Sequence, residues 1–332
     1  MLDTTSRLFR FLTLSQQRLE SQPRSGRMRS LLAATNTQKQ EDGIKNLAVG
    51  NISISRVVET EGPFLQPQQL LPDSTAEVIE SHKHWLAPHF LAPDGMFVMS
   101  IHTYVLQTKH HTILVDTCIG NDKERSLFPA WSRMQGPYLQ NLEQLAGVKP
   151  EQVDYVLCTH LHVDHVGWNT RLVDGRWVPT FPKAKYLFAR KEWEFWKGEY
   201  EAGRDAGDGA IADSVLPIVE AGKAVLVEGD HAIDDEVWLD PTPGHTPGHV
   251  CVHVKSGGKE AIMTGDMMHH PVQCAEPQWS SGFCTDPEQS RQTRRAFLDR
   301  YADSGVTILA AHFASPTAGH IVPAGNTWRL KV

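Results

Sequence analysis

Thr159-His160-Leu161-His162-Val163-Asp164-His165-Val166-Gly167 places four side chains able to bind metal within six consecutive positions, in the order His-x-His-x-Asp-His. The residues before them, Asp154-Tyr155-Val156-Leu157-Cys158-Thr159, read as a short buried strand, because the apolar run is too short for a helix. A strand that ends in a loop dense with ligands lets alternate side chains converge on one point, while Asp164-His165 can begin the next helix and face a second point. Neutral imidazole and carboxylate suit zinc and its divalent neighbours, and four donors exceed what one open catalytic site uses. The stretch reads as half of a two-metal site.

Outward from this point, composition sets the bounds. The chain has 332 residues, enough for one large domain, and its 32 Lys and Arg against 39 Asp and Glu give a net charge of −7. That acidic balance argues against a nucleic-acid backbone as the main partner, since phosphate binding needs local positive charge. The cysteines, Cys118, Cys158, Cys251, Cys274 and Cys284, are odd in number and include no Cys-x-x-Cys pair. Reduced thiols and a cytoplasmic setting are expected. No apolar run approaches the length of a membrane span.

Residues 1–45 differ from the rest. Arg7, Arg10, Arg18, Arg24, Arg27 and Arg29 meet only Asp3 and Glu20 before Glu41. Arg-rich, Ser-rich and acid-poor composition belongs to organelle-targeting segments, but also to a disordered extension or to a start placed upstream of a later candidate such as Met28. Residues 46–332 are expected to form the functional domain.

Leu47 to Ser55 reads as two strands around Gly50-Asn51, and the proline-rich stretch from Gly62 to Gly95 reads as a loop, a candidate lid, with His82, His84 and His89 outside any ligand set. Met99–Gln107 and Thr112–Asp116 form a hairpin. Asp116, before a Gly turn, is expected to order that turn. Leu139, Leu142 and Leu145 mark a helix closed by Gly147. Tyr186–Ala189 is a strand, Arg190–Tyr200 a helix with Trp193 and Trp196 packing inward, and Glu201–Asp213 a mobile loop. Strands follow at Ala224–Val227, Val237–Leu239, Val250–Val254 and Ala261–Thr264. Asp286 caps a helix to Tyr301 that turns Ala296, Phe297 and Tyr301 inward. Thr307–Ala310 and Trp328–Val332 complete the strands.

His160-Leu161-His162-Val163-Asp164-His165 resembles the signature of the metallo-β-lactamase-fold hydrolases, and that family's other landmarks follow in order. The resemblance spans about Ile52 to Val332. It implies an α/β fold, a four-layer αββα sandwich. It also implies further ligands: His245 in Asp240-Pro241-Thr242-Pro243-Gly244-His245-Thr246-Pro247-Gly248-His249, the bridging Asp266 of Thr264-Gly265-Asp266, and His312 of Ala310-Ala311-His312. His249 is left to support or packing, and Asp116 to support of the metal loop. On this reading His160, His162 and His245 bind one metal, Asp164, His165 and His312 the other, and Asp266 joins them. The imidazole of His162, where redox relatives carry a carboxylate, favours hydrolysis. The cofactors expected are two divalent ions, zinc first, with manganese, iron or cobalt as alternatives.

The wording around Asp116, Asp266-Met267-Met268-His269-His270 and His312-Phe313-Ala314-Ser315-Pro316 looks most like the branch holding methyl parathion hydrolase and quorum-quenching lactonases. The expected activity is hydrolysis of a small ester-type substrate (lactone, aryl ester or phosphotriester) by a metal-bridging hydroxide, with Asp164 or Asp266 steering the proton. Trp131, Trp168, Trp279, Phe283 and Phe313 are candidates for an apolar pocket, and His269 and His270 for its mouth. A homodimer is left open. Alternatives are a β-lactam hydrolase or RNA-processing nuclease of the same fold, or a metal-stabilised binding protein without turnover.

Overall fold

A computed structural model of the chain describes residues 47–204 and 207–332. The extension over residues 1–45, with its targeting or disordered readings, lies outside the described residues. Two main sheets are present among the described residues. The first is built from β1 (Leu47–Val49), β2 (Ile52–Leu65), β3 (Phe97–Gln107), β4 (Thr112–Val115), β5 (Tyr155–Leu157), β8 (Lys185–Ala189) and β9 (Ala224–Val227), in that spatial order. The second runs β10 (Val237–Pro241), β11 (Val250–Ser256), β12 (Lys259–Met263), β13 (Thr307–Leu309), β14 (Ala318–Ala324) and β15 (Thr327–Lys331). A separate hairpin joins β6 (Thr170–Val173) and β7 (Arg176–Pro179).

Side-chain alternation along the strands assigns the layers. In β4, Ile113 and Val115 face a core shared with Leu239, Val252 and Met263 of the second sheet, while Leu114 faces the opposite side. That outer side of the first sheet is covered by α3 (Tyr138–Ala146), α4 (Arg190–Glu201) and α5 (Leu216–Glu220), through Leu142, Trp193 and Ile218. On the second sheet Ile262 and Ile308 face outward onto Phe297 and Leu298 of α7 (Pro287–Tyr301), which follows the short α6 (Val272–Ala275). Helix, sheet, sheet and helix give the expected αββα sandwich. Each large apolar side chain fully buried in these interfaces contributes about 1.5–3 kcal/mol.

Several local expectations hold. Gly147 ends α3 with a left-handed φ of 68°, and the Asp286 side chain accepts a hydrogen bond from Gln289 N at the start of α7. Others are corrected. The stretch from Gly62 to Gly95 is not a loop, since β2 runs on to Leu65, and α1 (Pro67–Leu70) and α2 (Ala76–Leu86) follow. Its prolines flank α2 rather than interrupt it, Thr75 caps it, and Ile79 and Leu86, seven residues apart, bury together. His82 pairs with Glu276 at 2.8 Å instead of meeting a ligand set. Residues 207–213 are not a free loop. The Asp208 carboxylate accepts from Ser126 N and Leu127 N at 2.8 and 3.0 Å, and a π-helical turn follows at Ile211–Val215. In α7 Ala296 is exposed, and Arg294, Phe297 and Leu298 take the inner face.

Candidate metal centre

The first sheet's β4 and β5 and the second sheet's β10, β12 and β13 all deliver functional loops from their C-terminal ends. Asp116 follows β4, His160 to His165 follow β5, His245 follows β10, Asp266 follows β12 and His312 follows β13. Parallel pairing of β4 with β5 and of β12 with β13 brings those ends to one edge of the sandwich. Gly265 allows the closest approach: a Cβ there would lie 2.9 Å from Thr159 Cβ and 2.6 Å from His249 Nε2, at a left-handed φ of 48°.

All seven residues singled out in the sequence meet. Ligand atoms of His160, His162, His245 and Asp266 lie within 4.8 Å of one another, and those of Asp164, His165 and His312 form a second such group. The Asp266 carboxylate reaches both: Oδ2 is 3.3 Å from His245 Nε2 and 3.7 Å from His160 Nε2, and Oδ1 is 3.2 Å from His165 Nε2 and 3.0 Å from His312 Nε2.

The outer ring nitrogens are fixed by acceptors. His165 Nδ1 lies 2.9 Å from Asp116 Oδ2, and His312 Nδ1 lies 3.0 Å from the Ser100 carbonyl, so both Nδ1 atoms donate. His160 Nδ1 contacts Thr159 Oγ1 at 3.1 Å, and Cys284 Sγ stands 3.6 Å from His245 Nδ1. Such outer partners set the tautomer and leave the inner nitrogens facing inward. His165 Nε2 and His312 Nε2 then face each other at 3.3 Å, as do His162 Nδ1 and His245 Nε2 at 2.9 Å. Lone pairs so close repel unless a proton or a cation lies between them. His160 Nε2 and Asp266 Oδ1 are buried with no hydrogen-bond partner. Imidazole and carboxylate donors arranged in this way fit divalent cations.

The electrostatics of the two groups differ. Burial lowers His160 and His245 well below the usual histidine range, reinforced by neighbouring imidazoles, and lowers His162 to about 4. Burial also disfavours the charged forms of His165 and His312, but Asp266 leads the carboxylates that outweigh it, and both are raised. Burial opposes the charge on Asp266; His312, His165, His269 and His160 overcome this and hold its carboxyl well below the usual range.

Asp116 also accepts from Thr159 N at 2.8 Å, which makes it the brace of the His160 loop, and His249 Nε2 accepts from Asp266 N at 2.9 Å, a supporting position. His269 enters the site: its Nε2 is 3.3 Å from Asp266 Oδ2, its ring stacks over His312, and neither ring nitrogen has a hydrogen-bond partner. His270 does not. It stacks on Phe97 at 3.8 Å and contacts the Phe90 carbonyl, in the core beneath.

The aromatic set is also revised. Trp168, Trp279 and Phe313 are buried core residues. Trp131 and Phe283 are half-buried and join Phe128 and Phe64, residues the sequence did not single out: Phe128 stacks on Trp131 at 4.2 Å, with Phe64 5.9 Å from Trp131 and Phe283 6.1 Å from Phe128. Sequence reading also misses two buried or half-buried acids. Glu59 accepts from Ile119 N, Gly120 N and Trp168 Nε1, and Glu192 from Leu161 N, Gly248 N and Trp196 Nε1. Neither sits in a motif, and their partners are distant in sequence.

Comparison with known proteins places the family and the fold. Among curated relatives, the N-acyl homoserine lactonase of a Bacillus species is 26% identical over 171 residues, 48% of this chain and 60% of its own length. The chain thus spans about three fifths of such relatives. A probable metallo-hydrolase of Mycobacterium tuberculosis is 24% identical over 243 residues, 64% of this chain and 74% of its own. Among solved structures, the hydrolase AbOPH of the beta-lactamase superfamily superposes with a TM-score of 0.71 at 26% identity, covering 86% of this chain and 97% of its own. AidC, a dizinc quorum-quenching lactonase solved with N-hexanoyl-L-homoserine product, shares the fold at a TM-score of 0.67 and 19% identity, covering 86% and 96%. The family model for the metallo-beta-lactamase superfamily matches residues 96–312, more than half of the sequence, and the chain belongs to that superfamily.

Proposed function

We propose that residues 46–332 form a dinuclear metal-dependent hydrolase of small ester-type substrates, lactones foremost, with aryl esters and phosphotriesters as the neighbouring class. The observation that carries this reading is Asp266, one carboxylate facing two groups of inward-pointing donors. His160, His162 and His245 would hold one cation, Asp164, His165 and His312 the other, and Asp266 both. Zinc is the first candidate, given the imidazole-rich donor set. When bound, such a pair supplies Lewis acidity: it brings the pKa of water toward neutrality and polarises the substrate's carbonyl or phosphoryl oxygen.

The chain's own groups do the rest. Asp164, its side chain 14% exposed, is the more open of the two acids and can take a proton from the attacking water. His269, kept neutral chiefly by burial, turns Nε2 toward Asp266 and leaves Nδ1 without a hydrogen-bond partner, free to meet a substrate group. Phe64, Phe128, Trp131 and Phe283 form an aromatic wall suited to an apolar acyl or aryl group, and Phe283 adjoins Cys284, which touches His245. The kinship with N-acyl homoserine lactonases favours a lactone bearing an acyl chain. All five cysteines are buried unpaired thiols, in keeping with a reducing, cytoplasmic setting. No helix among the described residues is long and apolar enough to cross a membrane.

The test is elemental analysis of the purified protein beside turnover of acyl lactones, aryl esters, phosphotriesters and β-lactams. About two metal equivalents per chain and preference for acyl lactones are expected. Metal-loaded protein that turns over none of the four, or turns over β-lactams alone, would overturn the reading.

A further inference from the structure

The first group of donors comes from two loops that are far apart in sequence, and one side chain touches both. Glu192 is the third residue of α4 and is 1% exposed. Its Oε1 accepts from Leu161 N at 3.0 Å and from Trp196 Nε1 at 2.6 Å, and its Oε2 accepts from Gly248 N at 3.0 Å. Leu161 lies between His160 and His162, and Gly248 lies between His245 and His249. Contact is tight enough to require glycine, since a Cβ at position 248 would stand 2.2 Å from Glu192 N. Trp196, held by the same carboxylate, packs edge-on against His162 with ring centres 5.2 Å apart.

A buried carboxylate is unfavourable unless hydrogen-bonded, and here three N–H groups supply the compensation. An apolar residue would fill the space between helix and loops equally well but would leave two loop amides without a partner. The carboxylate does more than fill space: it is hydrogen-bonded both to the loop carrying His160 and His162 and to the loop carrying His245.

We propose that Glu192 is a positioning residue of the metal centre, a clamp that sets the spacing of His160 and His162 against His245 without touching metal or substrate. The proposal rests on the dinuclear reading above. Glu192→Gln keeps the size and one acceptor but replaces the other with a donor facing an amide N–H. Outer partners of metal ligands are worth about 10–100-fold in affinity.

The experiment titrates metal-free full-length protein with cobalt(II), alone and against a chelator, and follows its visible absorption bands. Wild type should take up two equivalents. In Glu192→Gln one of the two should bind about 10–100-fold more weakly, with altered bands for that site and the other little changed. Glu192→Asp retains the charge but is too short to reach both amides, and should move in the same direction. Melting of the metal-free variants separates this from general damage. Variants that keep both affinities and the wild-type bands, or that lose fold without a selective loss at one site, overturn the clamp. Wild type that binds fewer than two equivalents overturns the dinuclear reading instead.

Discussion

Replacing Asp266 by asparagine tests the core of the reading. The substitution preserves shape, and the Asp266 backbone stays anchored because its N–H donates to His249 Nε2 at 2.9 Å. What changes is charge. Two dications carry four positive charges, and the seven proposed donors include two carboxylates, Asp164 and Asp266. The Asp266→Asn variant keeps a single carboxylate, and a neutral amide oxygen bridges two cations poorly. Loss of an outer-shell partner weakens metal binding about 10–100-fold. Asp266 stands one shell closer and faces both groups, with carboxylate oxygens 3.0–3.3 Å from His165, His245 and His312. The expected loss is therefore at least about 100-fold, or about 2.8 kcal/mol. Elemental analysis after gel filtration should find fewer than two metals, and lactone turnover should fall in step. Asp116→Asn, which only removes the brace on His165 and Thr159, should give a smaller loss of the same kind. Full metal content with unchanged turnover in Asp266→Asn would remove the bridge from the mechanism.

Three other outcomes follow from the geometry. His165 and His312 are raised while His160, His162 and His245 are lowered, so the metal-free second group holds protons where a cation would sit. The first group should fill first, and filling the second should release protons and strengthen as pH rises through the raised values; calorimetry in buffers of different ionisation heat that finds no proton release at pH 7 would contradict this. Trp131→Ala, which removes the centre of the aromatic wall, should raise KM about tenfold for long-chain acyl lactones with little change in kcat, and equal effects on short and long chains would discount the wall. Lys123, buried over the Trp177 ring and paired with Asp213, is pulled by burial from its ordinary 10.5 to about 8. The folded state sheds that proton near pH 8 while the unfolded chain keeps it to 10.5. Stability should therefore rise with pH across this window, by up to about 3 kcal/mol. Denaturant melts of Lys123→Met should lack that rise, and a wild-type curve that falls there would refute the assignment.

How far the sequence can be read depends on the range of the interaction. Helix caps such as Asp286, the Gly147 stop and the strand alternation around Ile113, Leu114 and Val115 are local signals, and they are legible. Helix α2 is hidden because prolines at its flanks read as breaks, although Thr75, Ile79 and Leu86 carry a cap and a seven-residue repeat. The segment after residue 206 reads as mobile because its acids, Asp208 and Asp213, find their partners in Ser126, Leu127 and Arg125, more than eighty residues away.

The chain by itself determined the chemistry: which donors exist, in what order they follow their strands, and that imidazoles outnumber acids. Tertiary structure alone decided that Asp266 faces two groups, that His269 turns in while His270 stacks beneath on Phe97, and that Trp131 rather than Trp168 is left open. Donor type and strand periodicity are properties of neighbouring residues. Which ring nitrogen points inward, which acid holds two loops, and which aromatic stays uncovered depend on two sheets packing face to face, and a sequence records that packing only through contacts made across the whole fold.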